Sequence, residues 1–264
     1  MMRGWVWFGV LLSVCALAFG QQKVDVEKVQ ARYRQLTGAV SEARLAETVR
    51  WMATQGSRVA GYPGADRAAD YIERQFRAVG LQNVRREPFP ITVPVDEEAR
   101  LHLNGQKLRV YPLWPNQART SHLPPDGVQG NLIYVRDGQL QQFRGKPVEG
   151  SIVLMDFNTG NNWLNAARLG ARAIVFIEPE TTNRGEAEAK FIGIPLDVPR
   201  FWLPRQHAAK LIALAETQPD LQAKLTCRMP WQVRTGYNIV GVIPGSDPAL
   251  KDQWIVVTAY YDSI

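Results

Sequence analysis

The segment Trp254-Ile255-Val256-Val257-Thr258-Ala259 constrains the fold more than any other stretch of this sequence. It is apolar at every position but Thr258, rich in β-branched residues, and entered from the polar turn Gly245-Ser246-Asp247-Pro248 and then Lys251-Asp252-Gln253. A short run of this kind, bounded by turn residues, predicts a strand buried on both faces, as in a sheet covered by helices. In open α/β sheets the chemistry lies just beyond the carboxyl ends of such strands. Tyr260, Tyr261 and Asp262 stand at that place, and Ser263 and Ile264 are the only residues after them.

The rest of the chain supplies helices first and strands later. Glu27 to Leu36 has helical spacing, with Val29, Tyr33 and Leu36 on one side. A second helix starts after Ser41, an N-cap residue, and carries Leu45, Val49 and Met52 at i, i+4 and i+7. Gly56 to Gly64 holds three glycines and a proline, which predicts a shaped loop. A third helix spans Ala65 to Ala78, with Ala65, Ala68, Ala69, Ile72, Phe76 and Val79 as its stripe and Gly80 as its stop. After a strand over residues 83–90 the pattern becomes short strands near 99–103, 108–111, 130–135, 151–155, 173–177, 225–233 and 238–243. Two short helices, near 163–169 and after Pro204, interrupt them. A β-rich middle between a helical start and a strand-rich end predicts one domain inserted into another.

Composition narrows the function. The 264 residues carry 31 Lys plus Arg against 25 Asp plus Glu, a formal +6 that is mixed along the chain. No basic run with interleaved aromatics offers a nucleic-acid groove. Residues 1 to 20 predict a signal peptide: Arg3 is the positive start, Trp5 to Phe19 is apolar, and Ala18-Phe19-Gly20 suits cleavage. The apolar run is short for a membrane anchor, which needs roughly 20 residues. The expected location is therefore exported, periplasmic or extracellular. Beyond the leader Cys227 is the sole cysteine, so no internal disulfide is expected and a buried inert thiol is.

Two motifs carry a family resemblance. Gly56-Ser57-Arg58-Val59-Ala60-Gly61-Tyr62-Pro63-Gly64, with the helix through Tyr71-Ile72 and Val79-Gly80-Leu81, resembles the N-terminal region of secreted zinc aminopeptidases and carboxypeptidases, metallopeptidase family 28. Tyr237-Asn238-Ile239-Val240-Gly241-Val242-Ile243-Pro244-Gly245-Ser246, running into Ile255 to Asp262, is the second match. The middle, through Val148 to Leu154 and Asn165 to Ile174, is similar to the protease-associated domain often inserted in that family. The resemblance implies an α/β fold: an incomplete zinc-exopeptidase α/β sandwich with an inserted β-rich α+β protease-associated domain. The expected division is a leader over 1–20, a helical peptidase-like part over 21–90, the inserted domain over 91–226 and the first sheet strands over 227–264.

The same resemblance implies a two-zinc hydrolytic centre in the parent family. A zinc-ligand His, one variable residue and an Asp that orients the His would fall on Tyr260, Tyr261 and Asp262. Tyr260 replaces the His, and the other ligands and the general base of the family lie beyond the matched stretch. The expectation is a truncated, inactive member that holds no cofactor itself, with Asp262 as the remnant of the second shell of the metal site. The alternative is a non-catalytic exported module that binds peptide or protein through its inserted domain. Phe201-Trp202 is the candidate contact surface there, with a core pair as the other reading.

Other candidate groups yield no site from sequence. His102, His122 and His207 form no close-spaced pair of metal ligands. Ser57 has no histidine nearby in sequence, and a turn role explains it. Asp66 and Asp70 share a helix face interrupted by Arg67 and Arg74, which predicts a solvated face. Gly56, Gly61 and Gly64 follow no strand, so they make no nucleotide-binding fingerprint.

Overall fold

A computed structural model describes residues 25–182, 184, 187 and 192–263. The leader over 1–20 lies outside the described residues. The chain divides into two compact units, Met1–Trp51 and Met52–Ile264.

The first unit holds helix α1 (Val26–Gly38) and most of α2 (Glu42–Ala53). Both starts are capped as their sequences require. The Asp25 carboxylate accepts from the Lys28 N–H at 3.1 Å, and the Ser41 hydroxyl accepts from the Arg44 N–H at 3.3 Å. The stripes Val29, Tyr33, Leu36 and Leu45, Val49 are exposed.

The second unit begins with the loop that leads into α3 (Pro63–Ala78). Pro63 suits the first helical turn, where no N–H partner exists. The helix ends in a Schellman pair: Gly80 N–H donates to Arg77 and Leu81 N–H to Phe76, with Gly80 at φ +83°. Ala65, Ala68 and Ala69 are buried, and their small size lets α3 lie close against a two-stranded ribbon. That ribbon is β1 (Gln82–Pro94) paired antiparallel with β10 (Trp231–Val242). At its far end the ladder continues through Val95 N–H to Pro230 and Glu97 N–H to Arg228, and so enters the inserted sheet.

The inserted sheet has eight strands in the order β3-β2-β9-β5-β6-β7-β8-β4. They are β2 (Glu98–Leu103), β3 (Gln106–Arg109), β4 (Tyr111–Pro112), β5 (Val128–Tyr134), β6 (Ile152–Asp156), β7 (Ala173–Ile177), β8 (Arg200–Leu203) and β9 (Gln222–Arg228). β5 to β8 run parallel and the remaining pairs antiparallel. Asn104-Gly105 turns β2 into β3 with φ +47° and +76°, the two left-handed residues that a tight hairpin requires.

Side chains alternate between two cores. Leu132, Leu154, Val175 and Phe201 enter one, and Ile133, Val153, Ile174, Phe176 and Trp202 enter the other. Helix α5 (Ala208–Thr217) covers the first through Ala208, Leu211 and Ala215. Helix α4 (Trp163–Arg168) covers the second through Trp163 and Ala166. A sheet covered on both faces explains why its parallel strands are apolar at consecutive positions. The architecture is a mixed α/β fold with a β-rich sheet inserted between the two strands of the ribbon.

Two expectations need correction. Trp254 to Ala259 forms no strand among the described residues. Trp254 is 73% exposed, Ile255 92% and Val257 91%, so the predicted burial is absent. The apolar pattern specifies a strand only when a neighbouring backbone edge pairs with it, and among the described residues none does. Phe201 and Trp202 are 0% and 1% exposed, on opposite faces of β8, so they form no contact surface. The four core strands around them leave no outward face.

Candidate functional site

The residues at the candidate site are held by the glycine-rich loop before α3. Gly64 lies so close to the Ser57 and Gln55 carbonyls that an added Cβ would meet them at 2.1 and 2.8 Å. This packing folds the loop back on the start of α3 and presents Arg58. Its guanidinium donates from Nε to the Tyr261 carbonyl at 3.0 Å and from an Nη to the Met52 carbonyl at 2.8 Å. In return Ser263 N–H donates to the Arg58 carbonyl at 3.1 Å, forming an isolated antiparallel bridge.

Tyr261 completes the attachment. Its hydroxyl donates to the Tyr237 carbonyl of β10 at 2.8 Å. Burial raises its pKa above the ordinary tyrosine value, and the neighbouring Asp262 and Asp66 carboxylates push it the same way. The phenol therefore stays a donor throughout the neutral range. Arg86 lies 5.7 Å from the Tyr237 ring centre and pairs with Asp70 and Glu73 of α3. Hydrogen bonds from Arg77 and Arg86 hold the Glu73 carboxyl below its usual range. Asp70 is thus an ion-pair member rather than part of a freely solvated face.

Tyr260 and Asp262 are placed differently from Tyr261. Tyr260 is 91% exposed and Asp262 is exposed too. A metal site needs about three converging protein donors and an open position. Zinc takes thiolate, imidazole and carboxylate donors, and a phenol is not among its usual ligands. Among the described residues no three His, Cys, Asp or Glu side chains come together. These residues do not fit a zinc ion.

The remaining candidates lie apart. His102 on β2 contacts the Thr226 hydroxyl at 3.0 Å, and His122 Nδ1 accepts from Met229 N–H at 3.1 Å. His207 precedes α5, beside Gln206. Ser57 sits in the loop before α3, and its buried hydroxyl has no hydrogen-bond partner among the described residues. Cys227 is buried on β9, which pushes its thiol pKa up to about 12. The sequence reading passed over Arg58. Its signal was a lone cation inside a loop too glycine-rich to be an element, where long side chains often serve to tie backbone segments together.

No family model matches the sequence, and no curated protein does. Solved structures do match. One is a zinc aminopeptidase from Bacillus subtilis, with a TM-score of 0.55 and 19% identity, covering 76% of this chain and 46% of that one. What the two share is the fold. An aminopeptidase from Aneurinibacillus sp. strain AM-1 matches at a TM-score of 0.45 and 23% identity, over 81% of this chain and 51% of that one. A peptidase M28 precursor from Shewanella amazonensis matches at 0.48 and 16%, over 81% and 52%. The chain spans about half the length of the structures it matches.

Proposed function

We propose that this chain belongs to an exported zinc-exopeptidase lineage and that its 264 residues bind no zinc and hydrolyse no peptide bond by themselves. The observation that carries this reading is the state of position 260. A segment that resembles the zinc-ligand strand ends in an exposed tyrosine, and among the described residues no group of three His, Cys, Asp or Glu side chains converges anywhere. The likeness of fold to the Bacillus subtilis zinc aminopeptidase supports the lineage. The inserted eight-stranded sheet with α4 and α5 is proposed as a protease-associated domain. The alternative of a binding module acting through Phe201 and Trp202 loses its contact residues to the core.

Metal analysis after dialysis, together with an amino-acid amide assay, tests the proposal. The expected result is far less than one zinc per chain and no chelator-sensitive release of chromophore. One or two tightly held zinc ions per chain would overturn the reading, as would hydrolysis abolished by a chelator.

A further inference from the structure

The outer face of β3, β2 and β9 concentrates positive charge in the inserted sheet. Leu101, Leu103, Ala223 and Leu225 enter the first core, so the alternate residues of β2 and β9 leave the opposite face. The register puts Lys107, His102 and Lys224 side by side across the three strands. The next pair along, Arg109 and Arg100, is cationic on both strands. Neighbouring strands lie only about 5 Å apart. Like charges directly opposite one another at that spacing destabilise a sheet. β2 and β9 are each paired on both sides, so no backbone edge is left open here.

Compensation within the chain is one-sided. Asp96 pairs with Arg109 at 2.7 Å, Glu98 approaches Arg100 at 3.5 Å, and Glu97 pairs with Arg228. All three acids stand just before or at the start of β2, away from the Lys107–His102–Lys224 row. Lys107 and Lys224 are exposed and make no ion pair among the described residues. Between them His102 is held below its ordinary pKa, first by burial and then by Lys107 of β3, Lys224 of β9 and Arg100 of β2, with Glu98 opposing. Its Nε2 lies 3.0 Å from the Thr226 hydroxyl. A hydroxyl donates to the neutral ring or accepts from the charged one, so His102 keeps this partner in either state. An anion over the row therefore meets two lysines and a ring that can charge in response.

The make-up of the face selects among anionic partners. Its cations lie in a line, which suits a chain of repeated negative groups better than one compact anion. No Phe, Tyr or Trp and no apolar side chain of β2, β3 or β9 shares this face, so nothing there stacks on a base or enters a bilayer. Thr226 and Gln129 of β5 set neutral hydrogen-bonding groups beside the row. Such groups suit a partner rich in hydroxyls. We propose that this face binds a linear acidic polysaccharide, its carboxylates along Lys107, His102 and Lys224 and its hydroxyls on the neutral groups beside them. Binding takes up a proton at His102, so affinity rises as pH falls through the bound ring's pKa and levels off below the free one. The proposal does not depend on the zinc-exopeptidase reading.

The test uses the whole chain and a fluorescein-labelled oligogalacturonate, followed by fluorescence anisotropy at low salt. Saturable binding is expected, tighter by about threefold or more at about pH 5 than at about pH 7. Lys107→Gln with Lys224→Gln should weaken it about fivefold. Lys28→Gln with Lys251→Gln removes the same charge from exposed positions elsewhere and should leave it unchanged. His102→Gln should keep the binding seen near neutrality and lose the gain in acid. Absence of saturable binding would overturn the proposal. So would equal weakening by the two lysine pairs, or an undiminished acid gain in His102→Gln when circular dichroism matches the parent. Tighter binding to phosphatidylglycerol vesicles or to single-stranded DNA would assign the face to another polyanion, which also overturns the partner as stated.

Discussion

Replacing Arg58 by alanine should release the segment that carries Tyr260 to Asp262. The guanidinium makes two hydrogen bonds to backbone carbonyls, one to Tyr261 at 3.0 Å and one to Met52 at 2.8 Å. A hydrogen bond from a charged donor contributes about 1.5–3 kcal/mol net, and half-burial of Arg58 places each near the lower figure. Only the bond to Tyr261 restrains the segment directly. Losing it should lower the local opening free energy by about 1.5 kcal/mol, which is a roughly tenfold faster exchange of a protected amide. The amide to follow is that of Ser263, because its bond to the Arg58 carbonyl survives truncation of the side chain. The Tyr62 amide, bonded to Val59 at 2.8 Å within the same loop, reports whether the loop itself has loosened. Arg58→Ala is expected to accelerate Ser263 about tenfold and Tyr62 far less. Equal acceleration of both would show that Arg58 shapes the loop rather than anchors the segment. An unchanged Ser263 rate would refute the reasoning outright.

Three further outcomes follow from individual contacts. Gly64→Ala should cost about 1–3 kcal/mol in urea unfolding, because the new methyl meets backbone carbonyls that cannot rotate away. Cys227 should resist a thiol reagent at pH 8 in the folded protein and react once the protein is unfolded, since burial raises its pKa to about 12. His102 is held below its ordinary pKa of 6.5, first by burial and then by Lys107, Lys224 and Arg100. The unfolded chain therefore takes up its proton more readily. The stability this ring contributes is present above 6.5, declines as pH falls below it, and levels off beneath the folded value. His102→Gln should flatten that decline in urea midpoints measured across the acid range.

Much of the fold was legible because its signals were local. The helix ending at Ala78 was marked by Gly80, and the strand Ala173–Ile177 by apolar residues between turns. The β2–β3 hairpin was marked by Asn104-Gly105, which needs no distant partner to specify its backbone. Strand limits were less legible. β1 runs on through Ile91 to Pro94, although the sequence pattern predicted a strand over residues 83–90 only. The prolines of β1 are tolerated because they all occupy positions that donate outward, and only the pairing register reveals that parity. Phe201-Trp202 failed as a surface for a similar reason. Two adjacent aromatics look exposed on at least one side until the strand proves to have a core on each face.

The candidate site was less legible than the fold, since its residues act through contacts distant in sequence. Arg58 and Tyr261 are 203 positions apart, and nothing local to either announces the bond. The resemblance read from the sequence implies an imidazole at position 260, so the tyrosine there stood out at once. The structure adds that Tyr260 and Tyr261 have opposite environments despite adjacent places in the chain. One phenol, that of Tyr261, donates to the Tyr237 carbonyl of β10, while the Tyr260 side chain is 91% exposed. Holding the segment and presenting position 260 are thus separate functions of neighbouring residues. Replacing Tyr260 by histidine should leave the Tyr261 and Arg58 anchors in place, so the Ser263 exchange rate should not change. Zinc uptake should stay negligible as well, since one imidazole and the exposed Asp262 still fall short of the three donors a zinc site requires. Stoichiometric zinc in Tyr260→His would mean that position 260 alone separates this chain from a metal centre, contrary to the donor count.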